Sequence, residues 1–368
     1  MRYFCVMNTY FRASILLFIL TFMQVSLLGQ SDDLRTEIDK IIRFDTEIDF
    51  KKTPGFIVSV IDNDRVFHYA FGNKIKGDHV QLTADDIFEI GSVTKVFTAT
   101  LISTLVKEGK MSLEDPVNNY IPLDFQNPRL TKLTISDLIH HQSGFPKRPA
   151  FFGKKEKDLR SPYAHYTYAD LLKYYRDYIP EKNSFVYSHT NYALLELIAE
   201  KVTGKSFDDA IREAIFLPLS MDNSFVDFPE KKQNLIAPGY DRSQKVTPPW
   251  IFSSFKASEG IKTTPTDLVQ FVNGFLDKPA LDSSLMGEQN AKSFNDRLGI
   301  QMGWHTIHMN DFDILTHTGK TSGHSAFVGL VRETNTAVII LANSWVGTDD
   351  LGLQILRMIN YNWKRIKA

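Results

Sequence analysis

Strand-forming patterns stand near both ends of this chain, and the long stretch between them reads as helix and loop, an arrangement that few folds accommodate. Gly55 to Ile61 and Val66 to Phe71 are rich in β-branched and aromatic residues, and Asp62-Asn63-Asp64 between them has the chemistry of a hairpin turn. Asp313 to Thr316, Ser325 to Val331 and Ala337 to Leu341 read as three further strands, before a helix from about Leu351 to Ile366. Between Val93 and Leu276 helices are expected at Val93 to Glu108, Ile135 to His140, Tyr168 to Tyr178, Asn191 to Thr203 and Phe207 to Ile215. Leu34, Ile38, Ile41 and Ile42 recur at helical spacing and predict an amphipathic helix between Asp32 and Asp45. The expected fold class is therefore α/β of the α+β kind, an antiparallel sheet built from N- and C-terminal segments, flanked by helices, with a mostly helical insertion at roughly 93–276. There is no Gly/Ser- or Pro-rich linker and no internal repeat, so residues 31–368 are expected to form one unit with intertwined parts.

Composition removes several function classes. With 42 basic and 43 acidic side chains the formal net charge is -1, which gives no broad electrostatic case for nucleic acid or an anionic membrane. The first 30 residues read as a secretory signal: Arg2 and Arg12 precede an apolar run from Ile15 to Leu28, followed by Gly29, Gln30 and Ser31. That run is shorter than the roughly 20 apolar residues a spanning helix needs, so no integral span is expected after cleavage, and the expected location is periplasmic or secreted. Cys5 is the only cysteine and lies before the apolar run, so the mature chain would have no disulfide, thiol nucleophile or cysteine-ligated metal.

The chemistry is concentrated at Ser92-Val93-Thr94-Lys95. At the start of a helix, a three-residue separation puts serine and lysine on one face, where the amine can reach the hydroxyl. The lysine can take the serine's proton only if burial or neighbouring positive charge keeps it neutral. A second Ser-x-x-Lys occurs at Ser253-Ser254-Phe255-Lys256, so the spacing alone does not choose. Context favours Ser92, which follows the apolar Ile87 to Gly91 and opens a helix with an apolar face of Val96, Phe97, Leu101, Ile102 and Leu105.

Phe88-Glu89-Ile90-Gly91-Ser92-Val93-Thr94-Lys95 resembles the nucleophile segment of the β-lactamase-related serine hydrolases, the superfamily of class C β-lactamases, DD-carboxypeptidases, penicillin-binding proteins, D-aminopeptidases and certain esterases. Further resemblances follow in the family's order. They are Leu133 to Pro146, with its helix and Ser143-Gly144 turn; Phe185 to Leu195, similar to the Tyr-x-Asn segment; and His317-Thr318-Gly319, similar to the Lys-Thr-Gly or His-Thr-Gly strand. Weaker likeness at Ala237 to Tyr240, Gly260 to Thr264 and Gly299 to Trp304 extends over nearly the whole chain beyond residue 30. The resemblance implies an acyl-enzyme on Ser92, with Lys95 and Tyr187 moving protons, the tyrosine as a phenolate or through a hydrogen-bonded relay. It implies an oxyanion hole from the backbone N–H groups of Ser92 and Lys320, and a His317 that steadies the tyrosine's hydrogen bonds and meets a substrate carboxylate. The substrate-binding set is then His189, His317, Thr318, Gly319 and Lys320. The substrate would be a small molecule or peptide with an amide or ester bond: a β-lactam, a D-amino-acid peptide or a short ester. No cofactor or metal is implied.

One position departs from the pattern. Where the family has asparagine two residues after the tyrosine, this chain has His189, which could donate one hydrogen bond and accept another. Asn191 should point elsewhere on its helix. Two other classes remain in view. Metal-dependent hydrolysis could use the pairs His140-His141 or His305-x-x-His308, but the latter spacing on a strand sends its side chains to opposite faces. A binding or sensor protein of the same fold could have a weakened site at His189.

Overall fold

The computed structural model describes residues 33–44, 46, 48–150, 152, 161–180, 185–276 and 291–367. The expected signal segment lies outside them. The described residues form two units, one ending at Ile48 and the other beginning at Asp49. The first contains a helix over residues 33–44, where the spacing of Ile38, Ile41 and Ile42 predicted one.

The second unit is built on an eight-stranded antiparallel sheet. Its strands are β1 (Gly55–Asp62) and β2 (Arg65–Gly72) from the N-terminal part, with β7 (Ala291–Asn295), β8 (Leu298–Gln301), β9 (Trp304–His308), β10 (Asp313–Lys320), β11 (Ser325–Val331) and β12 (Thr336–Ala342) from the C-terminal part. The four remaining strands have two residues each, β3 (Phe88–Glu89), β4 (Gly239–Tyr240), β5 (Val246–Thr247) and β6 (Lys262–Thr263), and make the two small ladders β3-β6 and β4-β5. The order in the large sheet is β2-β1-β12-β11-β10-β9-β8-β7, so the two ends of the unit meet where β1 pairs with β12 in the register Phe56↔Ala342 to Asp62↔Thr336. The hairpin turn falls at Asn63-Asp64, with Asn63 in the left-handed region at φ 56°.

β11 and β12 are buried along their whole length. An antiparallel sheet commonly leaves one face in water, but here the Asp349–Lys367 helix packs on these strands and the Pro265–Asn273 helix packs on β12. The helix carrying Lys95, Thr94–Lys107, is more enclosed than a single apolar face implies: every residue from Thr94 to Ser103 is buried. Its polar side chains tolerate this because hydroxyls bond back to the preceding turn, Thr98 to the carbonyl of Thr94 and Thr100 to that of Val96.

Other boundaries shift for identifiable reasons. The helix at Phe207 is α-helical only to Ile211 and continues as a π-helical turn over Arg212–Phe216. The helix expected from Asn191 begins at His189. β10 runs to Lys320 rather than stopping at Thr316, because it pairs with β11 as far as Lys320↔Ser325. β7 has no strong sequence pattern, since it is a largely exposed edge strand and needs no apolar alternation, and β8 has only four residues in which to show one.

The end of β10 lies directly on the turn at Gly91–Val93. A methyl group on Gly319 would stand 1.9 Å from the Ile90 carbonyl oxygen and 2.9 Å from the Ser92 nitrogen, and one on Gly91 would stand 2.7 Å from the Lys320 nitrogen. Gly91 also has φ +49°, a conformation that glycine adopts without penalty. The obstructing atoms are backbone and cannot swing away. Gly319→Ala is therefore expected to destabilise the fold by roughly 1–3 kcal/mol, read as a lower denaturant midpoint with unchanged slope. An unaltered midpoint would mean that the strand and the turn are not in contact.

Candidate active site

Ser92 sits in a 3-10 turn at Gly91–Val93 that leads into the Thr94–Lys107 helix, so the serine and Lys95 come together at the helix start. Lys95 is completely buried. Its Nζ donates to Ser92 Oγ at 3.3 Å and to the Ser258 carbonyl at 3.0 Å, and lies 3.0 Å from His189 Nδ1. The amine also lies 5.0 Å from the ring centre of Tyr187 and 5.5 Å from that of Tyr192. Burial lowers the ammonium to a pKa of about 7, opposed by the Glu259 charge and assisted by Lys147 and Arg148. The requirement that Lys95 be able to exist as a free amine near neutrality is therefore met by its surroundings.

Tyr187 is held against this pair by His141. The Val186 N–H donates to the His141 carbonyl at 3.0 Å and the Ser188 N–H to His141 Nδ1 at 3.0 Å, so one residue brackets the tyrosine on both sides. The His141 ring lies 4.6 Å from the tyrosine ring, centre to centre. Burial pushes the Tyr187 phenol above its ordinary value, a contact with Ser92 opposes this, and the nearby Glu259 charge adds to it. Of the two forms open to Tyr187 on sequence grounds, the neutral phenol is the one these surroundings favour.

His189 is buried and kept neutral, with its pKa well below the ordinary range, first by burial and then by the Lys95 charge. Its Nδ1 lies within 3.0 Å of both Lys95 Nζ and Ser258 Oγ. Asn191 turns away from the lysine: its amide donates to the Leu138 carbonyl and accepts from Ser143 Oγ.

His317, Thr318, Gly319 and Lys320 form the last part of β10, above Ser92. His317 Nδ1 lies 2.8 Å from the Thr318 carbonyl, which can only accept, so Nδ1 carries the proton. The ring is driven neutral by burial and then by His305, and its Nε2 has no hydrogen-bond partner among the described residues. A neutral ring in this tautomer offers a lone pair at Nε2. That suits a hydroxyl such as that of Tyr187, whose ring centre is 6.3 Å away, and does not suit the substrate carboxylate expected from sequence.

Several lining residues were not legible as a site. Glu259 accepts a hydrogen bond from Ser92 Oγ at 2.9 Å through Oε1 and one from the Tyr163 hydroxyl through Oε2. The only signal was an acidic residue immediately before the family-like Gly260 to Thr264. His305 stacks on His317 at 4.8 Å, while His308, on the opposite face of β9, lies 2.9 Å from Asp313. Among the described residues no group of three or more His, Cys, Asp or Glu is arranged to hold a metal ion. The second Ser-x-x-Lys is used structurally: Ser253 donates to the Ala164 carbonyl and Lys256 to Asp227.

Ser92, Tyr187, His189, Glu259, His305 and the end of β10 line a cleft of about 740 Å³. Trp250 and Trp345 form aromatic walls, and Lys147, Arg148, Arg242 and Lys320 bring positive charge to it. Arg242 and Lys320 both lie over the Trp345 ring, at 3.7 and 5.2 Å.

Known proteins bear the same organisation. A family model described as Beta-lactamase matches residues 43–359. A protein named beta-lactamase from Pseudomonas fluorescens is 24% identical over 335 residues, covering 78% of this chain and 88% of that one. Penicillin-binding protein 4 of Amycolatopsis lactamdurans is 26% identical over 330 residues, covering 83% and 85%. The crystal structure of a β-lactamase/D-alanine carboxypeptidase from Pseudomonas syringae superposes with a TM-score of 0.75 at 21% identity, covering 88% of this chain and 99% of that one, so the fold is shared. With a family model spanning both the sheet and the Ser92 cleft, this chain belongs to the β-lactamase family.

Proposed function

We propose that this protein is an exported serine hydrolase that cleaves an amide or ester bond through an acyl-enzyme on Ser92. The observation that carries the reading is a fully buried lysine, lowered to about pKa 7, whose amine touches the serine hydroxyl. In its neutral form Lys95 takes the Ser92 proton as Oγ attacks the substrate carbonyl. The oxyanion is received by the backbone N–H groups of Ser92 and Lys320, a reading supported by the close packing of Gly91 on Lys320 and of Gly319 on Ser92. Tyr187, as a neutral phenol, relays a proton to the leaving group, and His317 Nε2 is the acceptor suited to its hydroxyl. His189 accepts from the lysine and fixes the direction of its amine. The basic cleft supports a substrate with an anionic group, bound by Lys147, Arg148, Arg242 or Lys320 rather than by His317. Export is supported by the apolar run from Ile15 to Leu28 behind Arg2 and Arg12.

Ser92→Ala should abolish covalent labelling by a fluorophosphonate and turnover of nitrocefin, a D-Ala-D-Ala peptide, a D-amino-acid amide and p-nitrophenyl butyrate alike, whereas Ser253→Ala should leave both intact. Labelling retained by Ser92→Ala would remove the assignment.

Acylation should depend on pH through Lys95. Below about pH 7 the amine is protonated and unable to accept, so kcat/KM should fall about tenfold per pH unit there and level off above it. Lys147 lowers the Lys95 pKa, so Lys147→Ala should move the acid limb to higher pH. Lys95→Ala should reduce the acylation rate by roughly 100-fold or more. A flat profile from pH 5 to 9 would exclude Lys95 as the base.

A further inference from the structure

Glu259 is the buried acid nearest the nucleophile, and its surroundings give it the form of an oriented base. Its near oxygen, Oε1, accepts the Ser92 proton at 2.9 Å, while its far oxygen is held by the Tyr163 hydroxyl. Tyr163 is buried and receives a hydrogen bond from Arg148 at 3.2 Å. Nucleophile, carboxylate and orienting hydroxyl therefore stand in a chain, the arrangement that makes a base directional. The backbone is fixed as well. Glu259 ends the short helix Lys256–Glu259, where the Ala257 N–H donates to Glu196 at 2.9 Å and the Ala257 carbonyl accepts from Thr98 at 2.7 Å. Glu196 stands on the helix that begins at His189, and Thr98 on the helix that carries Lys95. Both of the site's main helices thus hold this segment. Glu259 is only 5% exposed, yet it lines the substrate cleft.

Once Ser92 is acylated, Oγ has no proton to give and Oε1 loses that donor. A buried carboxylate oxygen left without a donor is costly, so a water entering from the cleft replaces the serine hydroxyl there. We infer that Glu259 is the general base of deacylation, a role that rests on the Ser92 acyl-enzyme reading. The water's oxygen attacks the ester carbon as its proton passes to Glu259 Oε1, giving a tetrahedral intermediate. Collapse breaks the bond between that carbon and Ser92 Oγ. The proton on Glu259 passes to Oγ along the 2.9 Å contact, releasing the acid product and restoring the starting hydrogen bond. In acylation Lys95 also stands within reach of Oγ, so loss of Glu259 weighs more on the second step than on the first.

The test uses p-nitrophenyl butyrate with stopped-flow detection and intact-protein mass measurement. Glu259→Gln should give a burst of one equivalent of p-nitrophenol, steady-state turnover reduced roughly 100-fold or more, and a persistent butyryl adduct on Ser92. Glu259→Asp, which keeps a carboxylate drawn back from Oγ, should recover part of the turnover. Fluorophosphonate labelling of Ser92 checks that each variant retains a folded site. Should Glu259→Gln fail to fold, Tyr163→Phe loosens the same carboxylate and should also accumulate adduct. The inference is overturned if a folded Glu259→Gln turns over normally, if burst and steady state slow together with no adduct, or if Tyr163→Phe is the only folded variant and holds no adduct. The outcomes separate the two levels: turnover by Ser92→Ala removes the hydrolase reading, whereas a Ser92 adduct formed equally in wild type and Glu259→Gln removes only the role of Glu259.

Discussion

The burial of one amine organises this molecule. Lys95 lies with no exposure among Ser92, His189 and Ser258, each from a different segment, and its contacts require those segments to converge. A charged lysine in such a place would be expensive, and the surroundings respond by lowering its pKa rather than by pairing it closely with an acid. Glu259 opposes that shift, and Lys147 and Arg148 reinforce it. The site is therefore a balance: enough negative charge to orient donors, and too little to lock the amine in its protonated form.

The sheet serves that balance by bringing β10 against the start of the lysine helix. Glycine at positions 91 and 319 allows backbone to approach backbone there, and the same approach packs Gly319 on the Ser92 nitrogen and Gly91 on the Lys320 nitrogen. Pairing of β1 with β12 joins the two ends of this unit in one sheet, and Tyr187, His189 and Glu259 of the helical insertion share a cleft with the end of β10. Segments from Ser92 to Asp349 thus build one cleft, and no linker divides them.

Much of this was written in the sequence. β1, β11 and β12, rich in apolar residues, are buried along nearly their whole length, and that burial is what made them legible. β7 was not, because an exposed edge strand carries no apolar period, and β8, with four residues, is too short to display one. Ser92, Lys95, Tyr187, His189 and the end of β10 were reached through ordered local motifs, and they line or adjoin a single cleft. Glu259, Tyr163 and His305 were not, because their relation to Ser92 and His317 is made only by tertiary packing. Glu259 is 167 residues from Ser92 in sequence, and no spacing rule operates over that distance. The state of His317 was out of reach for a similar reason: its tautomer is set by the Thr318 carbonyl and its charge by burial among other basic groups.

The account turns on the charge state of Lys95, and that can be observed without substrate. Titration of the protein with 13C-labelled lysine, following the Cε resonance assigned by its disappearance in Lys95→Arg, reports the ionisation of this amine directly. The account predicts a midpoint near pH 7. A resonance that titrates only near the ordinary lysine value of about 10.4 would contradict it, because Lys95 would then be a fixed ammonium unable to take the Ser92 proton.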